Sequence, residues 1–340
     1  KNNINALGNQ AAKNNTGANS NMLGYQAGID NQGDRLNALG YQTGKGNSGD
    51  SVNAMGIYAA QSNQGNYVNA FGDEAAKSNI VDYVNALGYQ AAQNNEGASL
   101  NALGNMAALN NTGGNVNALG ANSASANQGS NLNAIGYSAG NGNTGTHVNA
   151  VGTGTASSNT GDNINAMDVD AATGNTGNYV NALGNQSAYN NSGDYINGIG
   201  RYAAKNNSGT YVNGIGSEAS KDNTGNYVNG IGSSAANGNT GDNVNALGNQ
   251  AAFSNTGANV VAIGAGAAYE NTGDDVIALG NGAANANSLT GMFVISNLSL
   301  PSYANREAAL ADINLIDGAS ADCTYLYYNA SNYRIEAIRL

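Results

Sequence analysis

Residues 84–99, VNALGYQAAQNNEGAS, contain the unit that is repeated along most of this chain. Its glycine recurs every 16 residues from Gly8 to Gly280, and only Asp168 interrupts the series. About 18 copies without a slip in spacing predict a solenoid, in which each coil packs on its neighbours. Tracts rich in Gly and Asn are often disordered, but a disordered tract has no physical reason to keep phase.

The amino-acid composition excludes some classes of binding partner. The chain has 340 residues with 22 acidic and 11 basic side chains, a net charge of −11. This balance predicts no attraction to nucleic acid or to an anionic membrane. The single cysteine, Cys323, cannot form an intrachain disulfide and therefore indicates no compartment.

No apolar run approaches the roughly 20 residues of a membrane helix, and no secretory signal pattern is visible, so membrane insertion is not expected. The sequence begins inside a repeat, at residues 1–4. This start predicts that the chain is the C-terminal part of a longer protein.

Each repeat has two short segments. Residues 84–87 place large apolar side chains first and fourth before a glycine, which predicts a strand. Residues 89–92 are interpreted as a second strand, and residues 94–97 as a turn. Two strands and two turns per coil give an all-β fold, a parallel β-solenoid (β-roll) of 16-residue coils.

One asparagine is present in every copy, and in most copies it precedes the second glycine of the unit by two residues. Asparagine closes turns with its own side chain, and a column of stacked amides predicts a hydrogen-bonded ladder. The alternative is a plain turn former without a ladder. The predicted ladder includes Asn15, Asn31, Asn47, Asn95, Asn191 and Asn271.

Asn-Gly pairs normally indicate hairpin turns. Asn197-Gly198, Asn213-Gly214 and Asn229-Gly230 coincide with the strand position that elsewhere reads Asn-Ala. We therefore interpret them as strand residues in which Ala is replaced by Gly.

The stack should form a rod of about 85 Å at roughly 4.8 Å per coil. Two apolar columns begin at Ile4 and Leu7, three residues apart, so strict alternation places them on opposite faces of the strand. One column can fill the interior of the coil. The other needs a partner, and a closed homotrimer is the first choice.

The last two repeats carry a family resemblance. Residues 260–268, VVAIGAGAA, and 276–284, VIALGNGAA, resemble the head repeats of trimeric autotransporter adhesins. That resemblance implies a trimeric left-handed parallel β-roll whose heads bind host surfaces. The family's usual repeat is slightly shorter and lacks the fixed strand asparagine.

In that family a coiled-coil stalk and a membrane anchor follow the head, whereas residues 289–340 follow the shaft of residues 1–288 here. Within this tail, residues 300–305, 307–310 and 325–328 resemble C-terminal modules of phage virion and tail-fibre proteins. The second resemblance favours a viral fibre.

The tail is expected to be a small α+β module that caps the open end of the solenoid. Residues 292–295 are strand-like, residues 306–312 have helix-forming composition, and residues 324–328 and 333–338 predict a hairpin. Contact with a receptor is a further hypothesis, carried by tyrosines that suit recognition surfaces. These are Tyr327, Tyr328 and Tyr333.

The sequence offers little for catalysis. His147 is the one imidazole and is interpreted as a surface residue rather than a base. Asp168 and Asp170 could hold a cation, but aspartate also tolerates turn geometry, which is the favoured interpretation. No phosphate loop or nucleophile elbow is present. We expect no enzymatic activity, no cofactor and no metal.

Tyrosines occupy one repeat position in successive coils and should form a strip with a spacing of about 4.8 Å. A structural ladder is the first interpretation. Sugar binding along the strip is the second. The residues are Tyr179, Tyr195, Tyr211 and Tyr227.

These features predict a homotrimeric fibre on the surface of a phage particle, which attaches multivalently to a host glycan or protein. The first alternative is a bacterial surface adhesin or an extracellular filament. The second alternative is an ice-binding solenoid. It would need a regular hydroxyl row, and Thr144, Thr160 and Thr176 form only part of one between Gln128 and Ser192.

Overall fold

The computed structural model describes residues 3–296, 302–303, 324–329 and 334–339. These residues contain strands and turns and no helix. Eighteen short strands recur once per repeat, and a nineteenth follows them. The strands of the shaft are β1 Ile4–Leu7, β2 Ser20–Leu23, β3 Asn37–Leu39, β4 Val52–Met55, β5 Val68–Phe71, β6 Val84–Leu87, β7 Leu100–Leu103, β8 Val116–Leu119, β9 Leu132–Ile135, β10 Val148–Val151, β11 Ile164–Met167, β12 Val180–Leu183, β13 Ile196–Ile199, β14 Val212–Ile215, β15 Val228–Ile231, β16 Val244–Leu247, β17 Val260–Ile263, β18 Ile277–Leu279 and β19 Phe293–Ile295.

Each strand of the shaft pairs in parallel with the strand of the next coil. The register offset is one repeat, so Val116 lies opposite Leu132 and Asn117 opposite Asn133. The same offset is kept from the pairing of β1 with β2 to that of β16 with β17. The predicted parallel β-solenoid of 16-residue coils is therefore confirmed.

Alternation along the strand places the two apolar columns on opposite faces, as predicted. In β6, Val84 and Ala86 are buried, whereas Asn85 and Leu87 are exposed. The buried column packs against alanines of the turn segment, such as Ala91 and Ala92, which are fully buried. The interior is narrow because it is built mainly of Val and Ala.

The predicted second strand is wrong, because residues 89–94 form successive turns. Gln90, Ala92 and Asn94 have φ of 54°, 53° and 53°. Alternate amides bond within the coil and between coils: Gln93 N donates to Gln90 O at 3.2 Å, and Ala92 N to Ala107 O at 2.9 Å. This alternation satisfies the backbone while the chain reverses direction within a few residues.

The glycine that follows each strand is required by both conformation and space. Gly104 has φ +138°, and a Cβ there would lie 2.6 Å from the carbonyl oxygen of Gly120. Asp168 replaces this glycine once and adopts φ 97°. Its Oδ1 accepts a hydrogen bond from Val169 N at 2.7 Å, as expected of an aspartate in a turn.

Other glycines compensate for larger neighbours in the core. A Cβ on Gly44 would lie 2.9 Å from Leu36 Cδ2, and one on Gly140 would lie 3.0 Å from Leu132 Cδ2. Most repeats have Ala at the position of these two glycines. The coils thus keep a nearly constant interior volume, because close-packed cores tolerate little excess volume.

The Asn-Gly pairs lie in strands, as interpreted from their phase. β13, β14 and β15 each contain one pair. Ser187 explains the first of them, because its Oγ donates to Gly198 O at 2.7 Å and would lie 2.5 Å from a Cβ on that glycine.

The chain divides into two compact units, Lys1–Val294 and Ile295–Leu340. In the second unit, β20 Ser302–Tyr303 pairs in parallel with β21 Thr324–Asn329, which is antiparallel to β22 Arg334–Arg339. The predicted hairpin is confirmed. The predicted helix at residues 306–312 lies outside the described residues.

Candidate interaction surfaces

The turn asparagine ladder comprises the asparagines repeated from Asn15 to Asn287, and it lies inside the shaft. Asn111 Nδ2 donates to Asn95 Oδ1 at 2.9 Å and to Gly113 O at 2.7 Å. Asn111 Oδ1 in turn accepts from Asn127 Nδ2 at 2.8 Å. All six predicted positions lie in this ladder: Asn15, Asn31, Asn47, Asn95, Asn191 and Asn271. With both amide hydrogens bonded within the shaft, these side chains hold the coils together and offer no donor to a ligand.

A second column, the strand asparagine ladder, was not predicted from the sequence. Its amides are hydrogen-bonded from Asn5 to Asn149 and again from Asn181 to Asn245, with a break at Asn165. Asn101 Nδ2 donates to Asn117 Oδ1 at 2.8 Å, and Asn117 Nδ2 donates to Asn133 Oδ1 at 2.8 Å. These side chains are exposed on the outer face of the sheet. The fixed asparagine of the strand was the signal that could have revealed this ladder.

The outer apolar column lies beside the strand asparagine ladder. Leu87, Leu103 and Leu119 leave 51%, 43% and 45% of their surface exposed. Only Val151, Leu183 and Leu279 of the column are half-buried. The column consists of Leu7, Leu23, Leu39, Met55, Phe71, Leu87, Leu103, Leu119, Ile135, Val151, Met167, Leu183, Ile199, Ile215, Ile231, Leu247, Ile263 and Leu279.

Open grooves follow the boundary between these two columns. One groove is lined almost wholly by apolar atoms and lies between exposed side chains of the two columns. Its lining residues are Asn69, Phe71, Asn85, Ala86, Leu87, Asn101, Ala102 and Leu103. A continuous apolar surface of this length is unusual for a monomeric protein, which rarely exposes more than a few hundred Å² in one patch.

The tyrosine column is a stack of parallel rings. Tyr179, Tyr195, Tyr211 and Tyr227 stack with centroid separations of 4.9, 4.7 and 5.0 Å and interplanar angles of at most 3°. Neighbouring rings cover each other's faces, so the strip presents ring edges and hydroxyl groups to solvent. A sugar would therefore meet hydrogen-bonding groups here rather than open ring faces.

Acid and base side chains of the turn segment form local pairs. Lys77 Nζ lies 2.9 Å from Glu74 Oε1, and Gln90 Nε2 donates to Glu74 Oε2 at 2.7 Å. The hydrogen bond from Gln90, followed by that from Lys77, lowers the pKa of the Glu74 carboxyl. This carboxylate is thereby held in its charged form.

The remaining candidate residues do not converge on a site. His147 is exposed, with Nε2 3.3 Å from Asn131 Nδ2. Within residues 3–296 and the described strands of the tail, no three His, Cys, Asp or Glu side chains approach closely enough to share a metal ion. Tyr327 and Tyr328 lie in β21, and Tyr333 lies outside the described residues.

The same described residues contain no helix of the length and hydrophobicity needed to cross a membrane. Together, the fold and the two ladders define a parallel β-solenoid repeat protein. Comparisons with known proteins yield no relative: no family model matches, and neither the curated proteins nor the solved structures contain a significant match.

Proposed function

We propose that the protein is a homotrimeric attachment fibre on the surface of a phage particle. The observation that carries this proposal is the outer apolar column, whose side chains are exposed in all but three coils of a single chain. Its side chains expose apolar surface on the order of 1,000 Å², well above what an isolated soluble protein leaves uncovered. A partner with the same 16-residue spacing would cover it coil by coil.

A second copy of the same chain has that spacing by construction. Three copies whose columns face a common axis form a closed assembly in which no column stays exposed. The strand asparagine ladders would then lie at the edges of the buried seam, where exposed amides can bond across chains. The resemblance of residues 260–284 to trimeric adhesin heads supports three copies rather than two.

Attachment follows from the shape and symmetry of such a fibre. Three identical tips raise avidity without requiring tight contacts at any single tip. Tyr327, Tyr328 and Tyr333 of the C-terminal unit are the candidate contacts with a host glycan or protein, and that unit would also cap the shaft. A bacterial surface adhesin or extracellular filament built on the same coil is the alternative.

The native mass tests the assembly. Light scattering should give about three times the 34.0 kDa of one chain. The pair Leu103→Asp and Leu119→Asp should yield monomers, because it places charges in the seam. The matched control, Thr112→Asp with Gln128→Asp, adds the same charge to the same two coils outside the column and should remain trimeric.

A stable monomer at micromolar concentration would contradict the fibre proposal. If the wild-type chain is trimeric, binding of trimer and of the monomeric variant to bacterial cells tests attachment. The trimer should bind with an apparent affinity about a hundredfold higher or more, since avidity gains of that size are usual. Equal binding would contradict multivalent attachment.

Ice binding is a second candidate, favoured by one observation. A column of exposed hydroxyl side chains continues without interruption through nine coils, because the two serines between the threonines also carry hydroxyls. A thermal-hysteresis measurement tests this function directly, and its absence would exclude it. The residues are Thr144, Thr160, Thr176, Ser192, Ser208, Thr224, Thr240, Thr256 and Thr272.

A further inference from the structure

A cluster of cations and aromatic rings lies on the turn segments of two adjacent coils. Lys205 Nζ lies 4.9 Å from the ring centroid of Tyr202 and 5.0 Å from that of Tyr189. The Arg201 guanidinium lies 4.7 Å from the Tyr202 centroid. Gln186 Oε1 accepts a hydrogen bond from Lys205 Nζ at 2.7 Å. We call these five residues the cationic cluster.

The two cations of this cluster have no carboxylate partner. Among the described residues, no Asp or Glu oxygen lies within 4.0 Å of Arg201 or Lys205. The reason is visible in the repeat, because the residue three before Lys205 is Tyr202 instead of a glutamate. Lys77, at the same repeat position as Lys205, pairs with Glu74 at 2.9 Å.

The same pairing occurs one coil after the cluster, where Lys221 Nζ lies 3.6 Å from Glu218 Oε2. Glu218, which occupies the position of Tyr202 in the following coil, is thus already paired with a lysine. Lys205 is half-buried between its two rings. The rings limit the motion of its ammonium group, so less conformational entropy is lost when an anion binds.

The chemistry of the surroundings indicates the kind of anion. Asn190 and Asn206 are exposed and adjoin the cluster in sequence. Asn206 Nδ2 donates one hydrogen to Asp222 Oδ1 at 2.8 Å, and the other oxygen of that carboxylate lies 3.9 Å from Lys221 Nζ. A net charge of −11 disfavours a polyanion such as nucleic acid. A ligand with one or two negative groups among many hydroxyls fits two cations beside exposed amides, whose one neighbouring carboxylate, Asp222, is already paired with Lys221.

We propose that the cationic cluster binds an acidic glycan through a carboxylate or sulfate group. The planar Arg201 guanidinium can donate two parallel hydrogen bonds to such a group, and the Lys205 ammonium can donate a third. The amides of Asn190 and Asn206 can bond the neighbouring sugar hydroxyls. This inference rests on the attachment function proposed above and names the ligand class of one site.

The test measures binding of the full chain to immobilised oligosaccharides of similar length: sialylated, monosulfated and neutral ones. We expect binding to acidic sugars and none to neutral ones. Preference between the sialylated and sulfated probes identifies the anionic group. The pair Arg201→Ala and Lys205→Gln should weaken binding at least about tenfold, whereas Lys205→Arg should retain it because charge and ring contact are kept.

Lys77→Gln is the matched control, since it removes a paired lysine from the same repeat position and should leave binding unchanged. Mass and circular dichroism of each variant establish that it assembles and folds. Absence of acidic-sugar binding by the wild-type chain, or full binding by the double variant, would overturn the site. Cell attachment that persists in either case would leave the fibre function standing with a different contact site.

Discussion

The two asparagine ladders contain the same residue at the same 16-residue spacing, yet they bond differently. Asn111, in the turn ladder, is fully buried and donates both to Asn95 of the preceding coil and to Gly113 O. Asn117, in the strand ladder, is exposed and donates to Asn133 of the following coil. The amides of the turn ladder are therefore satisfied by hydrogen bonds within the protein, where water has no access. The hydrogen bonds of the strand ladder compete with bonds to water.

This difference matches the variation among the repeats. The buried asparagine occurs in every copy, whereas Val261 and Ile277 replace the exposed one in the last two strands. An unsatisfied buried amide or carbonyl costs about 1–3 kcal/mol, and an exposed one is solvated. Burial, rather than the hydrogen bond itself, determines which ladder tolerates substitution.

The largest effect is expected from Asn111→Asp. A carboxylate there would lack both donors and face the oxygens of Asn95 and Gly113, so burial and these oxygens should raise its pKa. We expect a loss of about 4 kcal/mol at pH 7. Because the folded pKa lies above the unfolded value of about 3.9, the variant should gain stability as the pH falls toward 4. Thermal unfolding between pH 4 and 8 measures this, and a flat profile would contradict the burial argument.

Asn111→Ala should follow, with a loss of about 3 kcal/mol and no pH dependence over that range. It leaves Gly113 O and one Nδ2 hydrogen of Asn127 without a partner and adds no charge. Thermal unfolding and hydrogen exchange of the neighbouring coils measure the effect. The matched control is Asn117→Ala, in the next coil.

Asn117→Ala should cost less than about 1 kcal/mol, because its partners can bond to water. A variant that carries both Asn101→Ala and Asn117→Ala should still unfold close to wild type. If the strand ladder proved as sensitive as the turn ladder when measured in the monomeric Leu103→Asp, Leu119→Asp background, the contrast between buried and exposed amides would be wrong.

The smallest effect concerns Glu74, an acid with the opposite pH behaviour. Hydrogen bonds from Gln90 and Lys77 lower its folded pKa. Its contribution, below about 1 kcal/mol as for other pairs near the surface, is therefore present above the unfolded value of about 4.3 and lost as the pH falls through the folded pKa. Glu74→Gln should flatten the acid side of the thermal-unfolding profile slightly. An unchanged slope between pH 2 and 5 would contradict this assignment.

Several features of the fold could be predicted from particular residues. The constant spacing of glycines such as Gly104 fixes the coil length, and the alternation in residues 84–87 places Val84 inside and Leu87 outside. The turn segment could not be predicted, because Gln90 and Ala92 rarely take positive φ on their own. Hydrogen bonds to neighbouring coils stabilise that conformation, and no local pattern reveals them.

The candidate interaction surfaces, like the fold, could be predicted only in part from the sequence. The exposed column that begins at Leu7 and the stacking of Tyr179 on Tyr195 could be predicted from the 16-residue spacing of these residues. The cationic cluster could not, because it joins Gln186 and Tyr189 of one coil to Lys205 of the next across 16 to 19 residues of sequence. The acid partner of a lysine in this segment lies three residues before it in the same coil, whereas Tyr189 and Gln186 reach Lys205 from the preceding coil.

The sequence by itself determined the repeat length, the parallel stacking and the two faces of the strand, because these follow from periodicity and from the geometry of one strand. Only the tertiary structure decided which amides are buried, why Gly198 accompanies Ser187, and where cations lack partners. Those outcomes depend on contacts between coils, where distance, burial and competition with water are set by stacking rather than by the order of residues within a coil.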